Sequence, residues 1–121
     1  MKPSEIITKD AQREGVDAHQ TLAKVLTFIK KNLGILLQEN DSVLLSIRTG
    51  DGKAEAHIFT VETGPALENS LKVFLQKLKD GGVKTLLGDD QNKNLLSAMK
   101  NAGWPIKKIK DKNYTWKADI A

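Results

Sequence analysis

Residues 64–104, GPALENSLKVFLQKLKDGGVKTLLGDDQNKNLLSAMKNAGW, decide the fold class of this 121-residue chain. Apolar residues at helical spacing predict an amphipathic helix over residues 65–80, which Gly81 and Gly82 end. Residues 83–87 predict a short apolar strand, and residues 92–102 predict a second helix. An apolar strand between two amphipathic helices is typical of an α/β layer in which that strand lies inside the sheet.

Strands are also predicted on both sides of this stretch. Residues 43–48 and 54–62 predict an antiparallel hairpin around a glycine-rich turn. In the second strand Ala54, Ala56, Ile58 and Thr60 share one face, and Glu55, His57, Phe59 and Val61 share the other. Two short strands are expected at residues 106–109 and 114–118. Residues 35–38 fit either a strand or one more helical turn.

The N-terminal part of the sequence predicts two helices, and the second has the stronger amphipathic pattern. Residues 17–33 form an amphipathic pattern that Asp17 can cap, with apolar residues on one face at Ala18, Leu22, Val25, Leu26, Ile29 and Leu33. A short helix over residues 4–14 has two strong apolar residues, Ile6 and Ile7. We therefore expect residues 1–16 to be a lightly attached arm and residues 17–121 to be a single α/β domain.

Composition excludes several classes of protein. The chain has no cysteine, which excludes disulfides, cysteine metal sites and a cysteine nucleophile. No apolar run approaches the roughly 18 residues that a membrane span needs, and the first residues lack the apolar core of a signal peptide. From these features we expect a cytoplasmic protein with no membrane partner.

Positive charge is concentrated near the C-terminus. The chain carries a formal net charge of +4, and residues 91–117 contain seven lysines and one acid, Asp111. Such a segment can attract an anion such as nucleic acid, or it can be a solvated lysine face. Trp104, Tyr114 and Trp116 lie near these lysines and could stack on bases, or they could belong to the core.

Few side chains have the spacing of a catalytic or metal-binding motif. His19 falls on a predicted helix and His57 on a strand, with no partner motif, so we predict no metal site. Asp89 and Asp90 follow a strand, where α/β sheets often hold sites, although capping of the next helix is the simpler explanation and the one we favour.

The segment from Asn92 to Gly103-Trp104 resembles the C-terminal motif of the GNAT (Gcn5-related) N-acetyltransferase superfamily. In that motif an asparagine opens the helix after a central strand, and Gly-Phe ends it. Asn92 and Leu95 match the first positions, and Gly103-Trp104 match the last. The resemblance implies a mixed central sheet with helices on both faces, similar to acyl-CoA N-acyltransferases. Met99 stands where the family commonly has a tyrosine that serves as general acid.

The same resemblance assigns a cofactor loop to residues 61–70. In the family, backbone N–H groups and the helix dipole at this point hold the coenzyme A pyrophosphate. Gly64, Asn69 and Ser70, together with Asn92, are the implied cofactor-binding candidates. The loop here has one glycine, Pro65 removes a donor, and Glu62 and Glu68 add negative charge. Glu62, at the strand end, is the candidate catalytic residue, a general base for an amine.

Three functional hypotheses follow from these observations. The first is a non-catalytic binding or assembly module with an eroded coenzyme A loop, which needs an unknown protein partner or self-association. Small members with eroded motifs occur among bacteriophage gene products, so the resemblance also implies a phage-encoded protein of the host cytoplasm or virion. The first alternative is an N-acetyltransferase that uses acetyl-CoA. The second is a nucleic-acid-binding protein that uses the lysine face.

Overall fold

Six strands form one mixed sheet with helices on both faces. A computed structural model describes residues 1–121. The elements in chain order are α1 (Pro3–Glu14), α2 (Ala18–Lys30), β1 (Gly34–Glu39), β2 (Ser42–Gly50), β3 (Lys53–Thr60), α3 (Gly64–Asp80), β4 (Thr85–Gly88), α4 (Lys93–Asn101), β5 (Ile106–Lys108) and β6 (Trp116–Asp119). The strand order is β1-β2-β3-β4-β6-β5. None of the helices combines the length and apolar composition that crossing a membrane requires.

Each face of the sheet has its own apolar core. One core joins β2, β3, β4 and β6 to α3 and α4, and it includes Leu71, Phe74 and Met99, which are fully buried. The smaller core lies between α1, α2 and the other face of β2 and includes Val43 and Leu45. The predicted α/β class, with a mixed sheet and helices on both faces, is confirmed.

The centre of the sheet is a short parallel pair. All strand pairs are antiparallel except β3 with β4. Their ladder runs from Lys53 opposite Thr85 to Glu55 opposite Leu87 and then stops. Beyond this point β3 continues to Thr60 beside β2 alone, so a gap opens between β3 and β4. We call this gap the splay.

The first helix is docked, so the expectation of a lightly attached arm is wrong. Ile6, Ile7 and Ala11 are at most 1% exposed and pack in the smaller core against β2 and β3. Two adjacent isoleucines and an alanine one turn later are sufficient because they cover a sheet face that α2 leaves open. Gly15 ends the helix in the left-handed conformation, with φ at 73°.

The second helix follows its predicted cap but buries less than its pattern suggests. The Asp17 side chain accepts a hydrogen bond from the Gln20 N–H, as expected. Val25 is the one buried residue of α2, and Leu26 is about half exposed. The helix ends at Lys30 rather than at residue 33, so Leu33 lies beyond it and is also about half exposed. Residues 35–38 are strand, which resolves the ambiguity in that segment.

The decisive stretch folds largely as predicted. All five apolar residues expected to be buried in α3 are buried: Leu67, Leu71, Phe74, Leu75 and Leu78. The hairpin of β2 and β3 also forms, with Ala54, Ala56, Ile58 and Thr60 on the buried face. Capping of α4 by Asp89 or Asp90 is wrong, because the Asn92 side chain accepts from the N–H groups of Asn94 and Leu95.

Candidate functional site

The end of α1 lies across the splay and occupies the edge of β3. The Asp10 carboxylate accepts a hydrogen bond from the Thr60 N–H at 2.9 Å, and Arg13 Nη1 donates to the Thr60 carbonyl at 3.0 Å. Arg13 Nη2 also contacts Asp10 at 2.9 Å. Both backbone groups that Thr60 directs away from β2 are therefore bound by one helix.

Burial and the two partners of Asp10 act on its carboxyl in opposite directions. Burial raises the pKa of the Asp10 carboxyl above its ordinary value, while the Thr60 N–H and the Arg13 guanidinium act to lower this pKa. The Asp10 residue is 8% exposed. A carboxylate held this deeply needs both partners, so the contact between α1 and the β3 edge is specific rather than incidental.

A second contact ties α1 to the opposite side of the splay. Glu14 Oε1 accepts a hydrogen bond from Asn92 Nδ2 at 2.9 Å. The oxygen of the same amide caps α4, at 3.0 Å from the Asn94 nitrogen and 3.2 Å from the Leu95 nitrogen. Asn92, a cofactor-binding candidate, therefore engages both the nitrogen and the oxygen of its side-chain amide in hydrogen bonds within the protein.

Replacing Asn92 by alanine should lower the free energy of unfolding by about 1 kcal/mol, because the cap of α4 is lost. Asn92→Ser is the matched control, since its hydroxyl oxygen can still cap α4 but it lacks the amide that donates to Glu14. We expect the serine variant to lose less than the alanine variant in urea denaturation. Equal losses would show that the contact with Glu14, rather than the cap, carries the stabilisation.

The candidate cofactor groove lies between the start of α3 and α4. It has a volume of about 410 Å³, and its lining includes Gly64, Asn92, Glu62 and Glu68. Gly64 opens α3 with φ at 58°, and no heavy atom lies within 4 Å of where its Cβ would be. The structure therefore brings two of the four cofactor-binding candidates, Gly64 and Asn92, to one groove.

The other candidates lie elsewhere. Asn69 is exposed on α3 and does not line the groove. Ser70 is 1% exposed, and its hydroxyl donates to Glu62 Oε1 at 2.7 Å. The Ser42 hydroxyl donates to the same oxygen at 2.5 Å. Glu62, the candidate general base, is thus half-buried and anchors β2 and α3 to the strand end through its Oε1.

Sequence reasoning missed a polar cluster beside the splay. Glu55 Oε1 accepts from the Tyr114 hydroxyl at 2.5 Å, and Glu55 Oε2 lies 3.1 Å from His57 Nε2. His57 Nδ1 is 3.8 Å from an Asp89 oxygen. The hydrogen bond to Glu55 raises the pKa of Tyr114 to about 12. Strand alternation placed Glu55 and His57 on one face, but no sequence signal brings Tyr114 to them.

Asp90, considered from the sequence as a site residue or a helix cap, instead binds side chains of and next to β6. Its carboxylate accepts from the indole N–H of Trp116 at 3.1 Å, and its backbone carbonyl accepts from the Thr115 hydroxyl at 2.8 Å. Burial raises the pKa of Asp90 to about 6, and the neighbouring Asp89 charge adds to that rise. The strand-end aspartate therefore holds β6 in place from beside the splay.

The two tryptophans near the lysines are buried and are not available for stacking on bases. Trp104 and Trp116 are 2% and 1% exposed, with their rings 6.2 Å apart in an edge-on arrangement. The Trp104 indole donates to the Leu71 carbonyl at 3.0 Å. The interpretation as core is correct for Trp104 and Trp116, whereas Tyr114 is half-buried and lies outside both cores.

Met99 and the two histidines lie in separate parts of the fold. Met99, which stands at the tyrosine position of the resembled motif, is fully buried in the larger core. His19 is exposed on α2 and His57 contacts Glu55, so they do not form a pair. No group of three metal-ligating side chains is close enough to hold an ion.

No family model and no curated protein matches this sequence. Solved structures do match the fold. The Campylobacter jejuni N-acetyltransferase PseH, in complex with acetyl coenzyme A, matches with a TM-score of 0.60 and 14% identity over 100% of this chain and 94% of that one. An N-acetyltransferase from Staphylococcus aureus Mu50 matches with a TM-score of 0.58 and 12% identity, over 98% of this chain and 92% of that one. A Bacillus subtilis acetyltransferase in complex with CoA matches with a TM-score of 0.57 and 13% identity, over 80% of this chain and 82% of that one.

These similarities concern the fold. The chain has the single-domain α/β fold of GNAT acyl-CoA N-acyltransferase-like structures, so the fold implied by the resemblance is confirmed. Structural neighbours at identities of 10–15% do not carry over their activity.

Proposed function

We propose that this chain is a GNAT-fold binding or assembly module that does not transfer acyl groups from coenzyme A. The observation that carries the proposal is the capture of both Thr60 backbone groups by Asp10 and Arg13 of α1. An extended ligand with amide groups can bind between two splayed strands only if backbone N–H and C=O groups of a strand are free to bond to those amides. Here the protein's own chain uses these backbone groups.

The charge at the start of α3 supports the same conclusion. A pyrophosphate at a helix N-terminus needs free N–H groups and no nearby negative charge. Glu62 and Glu68 both line the groove, and Pro65 offers no N–H in the first turn. Arg13, the groove's one cation, is already paired with Asp10 and Glu14. The groove is therefore poorly suited to a polyanion.

A second candidate function is an acyl-CoA-dependent N-acyltransferase, and the polar cluster beside the splay favours it. Glu55 could accept a proton from an amine, and Tyr114 could donate one to a leaving thiolate. The pKa of Tyr114 at about 12 makes it a weak acid, and its proton is already directed at Glu55. This candidate would also require α1 to leave the splay.

Calorimetric titration with acetyl-CoA separates the two candidates. We expect no saturable heat at millimolar ligand for the natural sequence. The test variant is Gly64→Asp, which adds negative charge at the start of α3. Gly82→Asp is the matched control, because Gly82 follows the other end of α3, also has positive φ, and has no heavy atom within 4 Å of the place that a Cβ would take.

One pattern of results would contradict the proposal. Saturable micromolar binding that disappears in Gly64→Asp and persists in Gly82→Asp would place the cofactor at the start of α3. The second candidate would then be favoured, and a screen of amine acceptors would follow. Absence of heat in all three proteins would support the proposal that the protein does not bind acetyl-CoA. The next experiment would then be a search for its protein partner.

A further inference from the structure

The two edges of the sheet differ in how they resist pairing with another strand. The β5 edge is three residues long, and Lys107 and Lys108 are exposed on it. Short length and lysines are the usual devices that prevent edge-to-edge association. The β1 edge, Gly34–Glu39, is six residues long and contains no lysine, arginine or proline. One edge is protected and the other is open.

The open edge presents backbone groups that no part of the chain pairs. Asn40 and Asp41 form a two-residue turn, so Glu39 and Ser42 are the hydrogen-bonded pair that closes the β1–β2 hairpin. By strict alternation, the N–H and C=O groups of Gly34, Leu36 and Gln38 then point away from β2. None of these backbone groups bonds to a turn, loop or side chain. A row of outward N–H and C=O groups on a strand is satisfied when another strand pairs with it.

The side chains of this edge are apolar where the strand begins. Ile35 is 67% exposed and Leu33 is 51% exposed, the first being the most exposed large apolar residue of the chain. Ile35 shares a face of the sheet with Leu37, which packs against the larger core. An additional strand alongside β1 would cover Ile35.

We propose that β1 pairs antiparallel with β1 of a second copy of this chain, with Leu36 on the two-fold axis. The proposal deepens the assembly role proposed above and rests on it. A two-fold axis perpendicular to the sheet keeps side chains on their own faces. The axis then passes midway between one residue and the same residue of the second copy, and we describe that residue as lying on the axis. The two sheets then continue into one another.

The position of the axis follows from the side chains. With Leu36 on the axis, Gly34 lies opposite Gln38 of the second copy, so the outward backbone groups pair. Ile35 then lies opposite Leu37 of the second copy in the closer, non-hydrogen-bonded type of pair. An axis through Leu37 would instead place Ile35 opposite Glu39. In the chosen register no acid faces an acid, and the two apolar residues meet.

The first test is the oligomeric state, measured by sedimentation velocity over a concentration series. We expect a concentration-dependent dimer for the natural sequence and at least a tenfold weaker dimer for Ile35→Lys. Val16→Lys is the matched control, because Val16 is 54% exposed but lies beside the splay, away from β1. A monomer at all concentrations, or equal weakening by both variants, would overturn the proposal.

The second test reads the register directly, because the chain has no cysteine of its own. Leu36→Cys should form a disulfide-linked dimer on mild oxidation, since directly opposite residues lie about 5.5 Å apart in Cα, within disulfide range. Ile35→Cys is more exposed and would crosslink faster if collision alone governed the reaction. Faster crosslinking at Ile35 or at Leu37→Cys than at Leu36 would overturn the register.

The acetyl-CoA titration distinguishes this proposal from the function on which it rests. A silent titration together with a monomer leaves the non-catalytic role supported and removes β1 pairing. Saturable acetyl-CoA binding together with a β1 dimer overturns the non-catalytic role and keeps the pairing. Circular dichroism and thermal melts of Ile35→Lys confirm that the exposed substitution leaves the fold intact.

Discussion

Replacing Gly88 by alanine is expected to destabilise the protein by about 3 kcal/mol, at the upper end of what overpacking costs. Gly88 lies directly opposite Trp116 in the β4–β6 ladder, and the indole covers it. A Cβ at position 88 would lie 2.1 Å from Trp116 Cε2. The ring has little room to move, because it packs edge-on against Trp104 and its N–H donates to Asp90.

Urea denaturation of Gly88→Ala and a control variant measures this effect. Gly50→Ala is the control, since the nearest atom to its added Cβ would be Lys53 Cδ at 3.9 Å. We expect the control to change the free energy of unfolding by less than about 0.5 kcal/mol. Similar values for the two variants would mean that the indole does not lie over Gly88.

Replacing Asp90 by asparagine is expected to stabilise the protein by about 3 kcal/mol at pH 7.5, with most of the gain lost by pH 4. Burial raises the pKa of Asp90 in the folded protein to about 6, above its ordinary value of 3.8. Each unit of difference corresponds to about 1.4 kcal/mol. The asparagine retains an oxygen that can accept from the Trp116 indole, so the change removes mainly the charge.

The sign of the pH dependence follows from proton binding. Between pH 3.8 and about 6 the folded protein holds a proton on Asp90 that the unfolded chain releases. The contribution of Asp90 is therefore fully present below the unfolded pKa and is lost as pH rises through 6. The raised pKa of Asp10 adds a dependence of the same sign, so Asp90→Asn should retain a weaker slope.

Thermal melts from pH 4 to 8 check this prediction against a surface carboxylate. Asp51 is fully exposed in a turn and pairs loosely with Arg48 at 3.7 Å. Asp51→Asn should therefore follow the natural protein at every pH. An Asp90→Asn profile that runs parallel to that of the natural protein would refute a raised Asp90 pKa.

Local patterns were sufficient for most of the fold. The α3 stripe, the alternation in β3 and the glycine turn between β2 and β3 each act over a few residues, so the sequence predicts them directly. The docking of α1 was missed because it depends on an open sheet face that α2 does not cover. Ile6 and Ile7 carry no periodic signal that reveals this face.

The candidate site was less predictable because its contacts are distant in sequence. Asp10 meets the Thr60 N–H across 50 positions, and Glu14 meets Asn92 across 78. The resemblance located Gly64 and Asn92 in one groove, but it could not indicate that Ser42 and Ser70 bind Glu62. Tyr114 reaches Glu55 through the order of strands, which no local pattern specifies.

The sheet consists of two antiparallel halves, and the short parallel ladder between β3 and β4 is the weakest connection within it. Each half of the sheet is antiparallel and internally bonded, and residues 53–55 and 85–87 are the one ladder between the halves. Helix α1 bridges the two halves, because it is hydrogen-bonded to Thr60 in one half and to Asn92 beside the other. The opening that a ligand could have filled is thus braced by the chain itself, and α1 supplies a further connection between two halves that share one three-residue ladder.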